Sequence, residues 1–110
     1  MEPKKQFLCR LIATRPEMVN RATPEEDRVV ARHFAYLKAL TEQGTVLLVG
    51  RTQHPDPTAF GIHILLAASE VEARRIVDDD PTVRGGIMRA ELYPYKIALL
   101  ARPEHFPPPE

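Results

Sequence analysis

The chain alternates short apolar runs with amphipathic stretches, and their periods tell them apart. Gln6 to Thr14 (QFLCRLIAT) is rich in strand formers and stops at Arg15-Pro16, which predicts a first strand. Thr23-Pro24-Glu25-Glu26 comes next. Thr23 can cap the free amides of a helix, Pro24 suits its first position, and Glu26 can reach back to close a capping box. Behind this start Val30, Phe34, Leu37 and Leu40 recur at spacings of three and four, and Gly44 stands where a C-terminal cap belongs. The pattern predicts a helix with that stripe buried.

Thr45 to Thr52 (TVLLVGRT) predicts a second strand, a polar turn runs through Gln53-His54-Pro55-Asp56-Pro57, and Ala59 to Ala68 (AFGIHILLAA) predicts a third strand. Ser69-Glu70-Val71-Glu72 repeats the capping-box pattern and opens a shorter helix with Ala73, Ile76 and Val77 on its inner side. Pro81 disfavours helix at Asp80. Gly85-Gly86 breaks the chain again before a long final strand, Ile87 to Ala101.

The order strand, helix, strand, strand, helix, strand most commonly folds as an α+β, ferredoxin-like βαββαβ sandwich. Two helices cover only one face of its sheet. Yet Val46-Leu47-Leu48-Val49, Ile62 to Ala67 and Ile97 to Leu100 are apolar at nearly every position, as in strands buried on both faces. With no third helix to cover the second face, the expectation is a homodimer with sheets packed face to face, the dimeric α+β barrel. The expected organisation is one α+β domain over residues 1–101 and a tail over 102–110. The tail holds four of the eleven prolines, which favours an extended chain on the surface.

Composition narrows the function classes. Fifteen Lys and Arg balance fifteen Asp and Glu in 110 residues, which argues against a dedicated nucleic-acid or anionic-membrane binder. Apolar stretches are too short to cross a bilayer, and no leader pattern stands at the start, so a cytoplasmic location is expected. The single cysteine, Cys9, excludes an intrachain disulfide and a cysteine-based zinc cluster. It reads as a small buried apolar residue. No metal or other cofactor is expected: no metal cluster, phosphate-binding glycine loop or Ser-His-Asp order is present.

Four histidines carry the remaining chemistry. His54 and His105 read as solvated loop residues. His63 alternates with Ile62 and Ile64, which points it away from the helices, towards the expected dimer cavity. His33 lies four residues before Leu37, at the border of the helix stripe, where each ring nitrogen needs a partner. On the pattern alone the reading as a satisfied structural histidine is preferred to that of a working one.

His33-x-x-Tyr36-Leu37-x-x-Leu40, Gly44, Gly50, Ser69-x-x-x-Ala73-Arg74, Asp80-Pro81, Gly86 and Pro94-Tyr95, in this order and spacing, resemble the YciI-like (YCII-related) family. The resemblance covers about residues 6 to 101. It implies the dimeric ferredoxin-like α+β barrel reached above from the strand patterns. It also implies an active-site histidine and aspartate at His33 and Asp80; one branch of the family dehydrochlorinates a chlorinated hydroxyhydroquinone. Arg51 after Gly50 departs from a usual proline, Thr82-Val83 from a usual aromatic, and Tyr95 from a common tryptophan.

A carboxylate beside an imidazole fixes its tautomer and favours its protonated form. The other nitrogen can then move a proton to or from a substrate. Asp80 has a second reading, capping the turn after Pro81. Asp78 and Asp79 fall in the last helical turn, where solvent exposure is expected. Arg51 could present its fork to an acidic or phenolate ligand, or pair with a turn acid such as Asp56. Tyr36 could offer a phenol to a ligand, or bridge core and water.

Two classes of function follow. One is a cofactor-independent enzyme acting by proton transfer, a lyase such as a dehydrochlorinase or an isomerase, on a small aromatic or enol-forming substrate. The other is a non-catalytic small-ligand-binding or accessory dimer. A haem- or quinol-oxidising relative is a third, weakened by the lack of tryptophan and of a well-placed axial ligand.

Overall fold

A computed structural model of the protein describes residues 4–108. Four strands, β1 (Lys5–Ala13), β2 (Val46–Arg51), β3 (Gly61–Ala67) and β4 (Met88–Tyr95), form one antiparallel sheet in the order β2-β3-β1-β4. The long helix α1 (Pro24–Glu42) follows β1, and α2 (Glu70–Asp78) with the one-turn helix α3 (Pro81–Arg84) follows β3. This is the α+β, ferredoxin-like arrangement expected from the element order. Among the described residues no helix is long and apolar enough to cross a membrane.

Each helix starts where its capping residues stand. Thr23 Oγ1 accepts from the Glu26 amide at 3.1 Å, and the Glu26 carboxylate accepts from the Thr23 amide at 2.9 Å, closing the capping box. Ser69 caps α2 through the Glu72 amide, while the Glu72 carboxylate reaches one residue further back, to the Ala68 amide. Gly44 takes φ +79° just past the end of α1, a conformation that suits glycine at a helix C-terminus.

The core lies between helices and sheet. Phe7, Cys9 and Leu11 of β1, Val46 of β2, and Leu65 and Ala67 of β3 meet Leu37 of α1 and Ala73 and Val77 of α2. Burying large residues of this kind stabilises by about 1.5–3 kcal/mol each.

The buried stripe of α1 is rotated from the expected one. Phe34 is 65 % exposed, and the inward line is Val30, His33, Leu37 and Leu40, with Val29 and Tyr36 beside it. The stripe therefore runs through His33, because a partner inside the fold takes the hydrogen of its Nδ1.

β3 also has the opposite phase to the expected one. His63, Leu65 and Ala67 point to the helices, and His63 is 1 % exposed, opposite the buried Cys9 in the β1 register. Ile62, Ile64 and Leu66 take the outer face. Because β3 is apolar on both sides, alternation alone does not fix its phase.

The final strand ends at Tyr95 rather than Ala101. Tyr95 pairs with Gln6 at the start of β1, so residues beyond it have no strand to pair with. The Ile97 amide instead donates to the Gln6 side chain at 2.6 Å, and Leu99 and Leu100 are exposed. β2, an edge strand with a bulge between Val46 and Leu48, exposes Leu47, Leu48 and Val49 in the single chain.

Candidate active site

Asp80 sits at the junction of α2 and α3. Its backbone is extended (φ −61°, ψ 128°), as a residue before proline prefers, so α2 stops and a new helix starts at Pro81. Asp80 caps that helix: Oδ1 accepts from the Thr82 amide at 2.9 Å and from the Thr82 hydroxyl at 2.8 Å. The same carboxylate faces α1, where His33 Nδ1 lies 2.8 Å from both Oδ1 and Oδ2. Capping and pairing, alternatives on the sequence, are satisfied together by one side chain.

Burial pushes the Asp80 carboxyl up, but the hydrogen bond and charge of His33 and the two Thr82 donors overcome it. The group titrates below the usual carboxylate range. An ionised carboxylate only accepts hydrogen bonds, so Nδ1 carries the hydrogen and the neutral ring keeps its lone pair on Nε2. Among the described residues no hydrogen bond engages Nε2. Asp80 is 1 % exposed and the His33 side chain 15 %, so the anion is sealed inside while its partner reaches the surface.

Other groups stand around the pair. His63 approaches from β3: its Nδ1 is buried without a partner, and burial together with the His33 charge pushes it down to about 4 against the pull of Asp80. Cys9 is fully buried, and burial raises its thiol to about 12. Tyr36 donates its hydroxyl to the Ile76 carbonyl at 2.7 Å, tying α1 to α2. Burial, with the charges of Asp79 and Asp80, lifts it to about 12.

Arg51 is exposed at the end of edge strand β2, opposite Gly61. Asp56, its expected partner, instead bonds Thr58 and stands beside His54. Asp78, Asp79, His54 and His105 are exposed. The structure thus joins His33 and Asp80, and neither Tyr36 nor Arg51 bonds to either of them. It adds two buried neighbours that sequence reasoning missed or misplaced, Thr82 and His63. Among the described residues no group of three or more His, Cys, Asp or Glu could hold a metal ion.

A family model described as the YCII-related domain matches residues 6–96. The chain belongs to the YCII-related domain family. The match takes in both His33 and Asp80 and ends one residue past β4.

Among solved structures, this YCII-related chain is similar to a 5-chloro-2-hydroxyhydroquinone dehydrochlorinase from Burkholderia phenoliruptrix AC1100, in complex with 2,5-dihydroxybenzoquinone. The TM-score is 0.63 at 22 % sequence identity, over 83 % of this chain and 93 % of that one. At this identity the likeness speaks for the fold. No curated protein is detectably similar in sequence.

Proposed function

We propose that this YCII-related protein is a small-molecule enzyme that works by proton transfer, with His33 as the acid–base group and Asp80 holding its orientation and charge. The observation that carries the reading is the contact of His33 Nδ1, at 2.8 Å, with both oxygens of an almost fully buried aspartate. A carboxylate so placed stabilises the imidazolium formed when Nε2 takes a proton, and the ring returns it later in the cycle. The chemistry is elimination or isomerisation of a small ring compound that can form an enol, with no cofactor. The fold shared with a dehydrochlorinase supports trying hydroxylated and chlorinated quinols first. In such an elimination His33 Nε2 accepts the substrate proton as chloride leaves.

The working form is a homodimer, sheets packed face to face. The exposed Leu47, Leu48, Tyr93 and Tyr95 of the two edge strands support this, and light scattering at micromolar concentration is expected to give twice the chain mass. A stable monomer there would overturn it.

Chloride release from 5-chloro-2-hydroxyhydroquinone, with 2,5-dihydroxybenzoquinone as a binding probe, tests the activity. Turnover is expected to fall ~100- to 10,000-fold in His33→Gln, with probe binding retained. Saturable binding with no turnover in the native protein would instead favour the accessory, non-catalytic reading.

A further inference from the structure

We propose that Thr82 is a positioning residue of this site: its hydroxyl holds the Asp80 carboxylate against His33 Nδ1, which confines proton exchange to Nε2. The inference rests on the His33–Asp80 reading and adds a third member to it.

The donors and acceptors can be counted. Oδ1 of Asp80 accepts from the Thr82 amide (2.9 Å), the Thr82 hydroxyl (2.8 Å) and His33 Nδ1 (2.8 Å); Oδ2 accepts from His33 Nδ1 alone (2.8 Å). Thr82 Oγ1 has one hydrogen to give. It lies 2.8 Å from Oδ1 but 3.5 Å from Nδ1, which is itself a donor, so the hydrogen belongs to the carboxylate. Capping α3 needs only the amide bond, which leaves the hydroxyl without a part in the helix. Thr82 is fully buried, and a buried hydroxyl is costly unless bonded. A valine would fill the same volume without that cost, so the hydroxyl serves the charge of Asp80.

The other titratable groups around Asp80 do not take its place. Tyr36 on α1, His63 on β3 and Cys9 on β1 all feel its charge, but the Tyr36 hydroxyl is committed to Ile76 and His63 Nδ1 bonds nothing. Among the described residues only His33 and Thr82 donate to the carboxylate. Two donors that never change protonation make Oδ1 a weaker base. The hydrogen shared with His33 therefore stays on Nδ1 through a cycle of ring protonation, and Nε2 is left as the exchanging atom.

The test uses the full chain without substrate. Long-range proton–nitrogen NMR reads the His33 tautomer and carbon-13 NMR reads the Asp80 carboxyl, in the native protein and in Thr82→Val, Thr82→Ser and Asp80→Asn. In Thr82→Val the carboxyl is expected to titrate about one pH unit higher, the worth of one charge-assisted hydrogen bond. When the ring is protonated, in part of the population the shared hydrogen then passes from Nδ1 to the more basic carboxylate, leaving a neutral Nε2–H ring beside a protonated Asp80, and Thr82→Ser restores both signals. Thr82→Ala gives the same reading if the valine variant does not fold. Unchanged carboxyl and ring in both hydroxyl-free variants, with the ring altered in Asp80→Asn, would overturn the Thr82 role and leave the pair standing. A ring indifferent to Asp80→Asn as well would overturn the pair and the inference with it.

Discussion

Glu26 and His33 lie about two turns apart on the inner stripe of α1, and each meets a partner able to carry the opposite charge. The Glu26 side chain is held from two sides. Its carboxylate takes two hydrogen bonds from Arg15, at 2.6 and 3.0 Å, and one from the Thr23 amide, while Arg15 also donates to the Arg21 carbonyl at 2.8 Å. Hydrogen bonding to Arg15 and to the Thr23 backbone drives Glu26 down to about 2. That pair pins the loop before α1, and its guanidinium has no lone pair with which to take up a proton. At His33 the acid is buried, and one ring nitrogen keeps a lone pair that is not spoken for. Charge alone does not separate the two pairs; a free lone pair on a titratable ring beside a buried charge does.

The comparison breaks most visibly at Asp80. Asp80→Ala removes both the partner of His33 and the cap of α3, and is expected to lower stability by about 3 kcal/mol or more, measured by urea denaturation. A loss below about 1 kcal/mol would mean the carboxylate is not integrated into the fold.

His63 sharpens the contrast as the buried histidine without a partner. It is neutral in the fold above about pH 4, whereas the unfolded chain binds its proton at about 6.5. Between those values the unfolded state binds more protons, so stability is full above about 6.5 and falls as pH drops through 4. The loss amounts to roughly 3 kcal/mol by pH 4, and His63→Leu is expected to flatten that limb of the stability–pH curve. An unchanged limb would clear His63.

Glu26 acts lower on the scale: its contribution is present above about 4.5 and lost towards 2. Arg15→Ala should shrink this second limb and leave the first. The smallest effect belongs to the cap beside it. Thr23→Ala is expected to cost about 1 kcal/mol, read as a lower melting temperature with the His33 ring signals unmoved.

Much of this architecture was legible in the residues. Caps with a mechanism, Thr23 with Glu26 and Ser69 with Glu72, marked both longer helices, and period marked the strands. What misled was phase. Phe34 outranks His33 on any hydrophobic scale, so a stripe chosen by apolarity slips by one position; only a tertiary partner for the imidazole, 47 residues away in sequence, draws the true line. In β3 the lone polar residue suggested an outward face, yet His63 lies inside at the cost of an unpaired nitrogen. The end of β4 depended on where β1 begins, a matter of register that the composition of Ile97 to Ala101 does not carry. At the site, residue types alone left His33 and Asp80 ambiguous, and it was the family resemblance that put them together. Thr82 looked like a mere departure from that pattern until its hydroxyl was seen on the carboxylate.

Asp80 starts a helix and holds a histidine with the same two oxygens, and this constrains how the protein can change over generations. A substitution that removes both oxygens, unlike Asp80→Asn, takes away the helix cap and the partner of the histidine together. If the pair does the proposed proton transfer, descendants that discard it while keeping the domain have an easier route through position 33, on the partly exposed side of the contact. Descendants that lose the pair are therefore expected to lose the histidine before the aspartate.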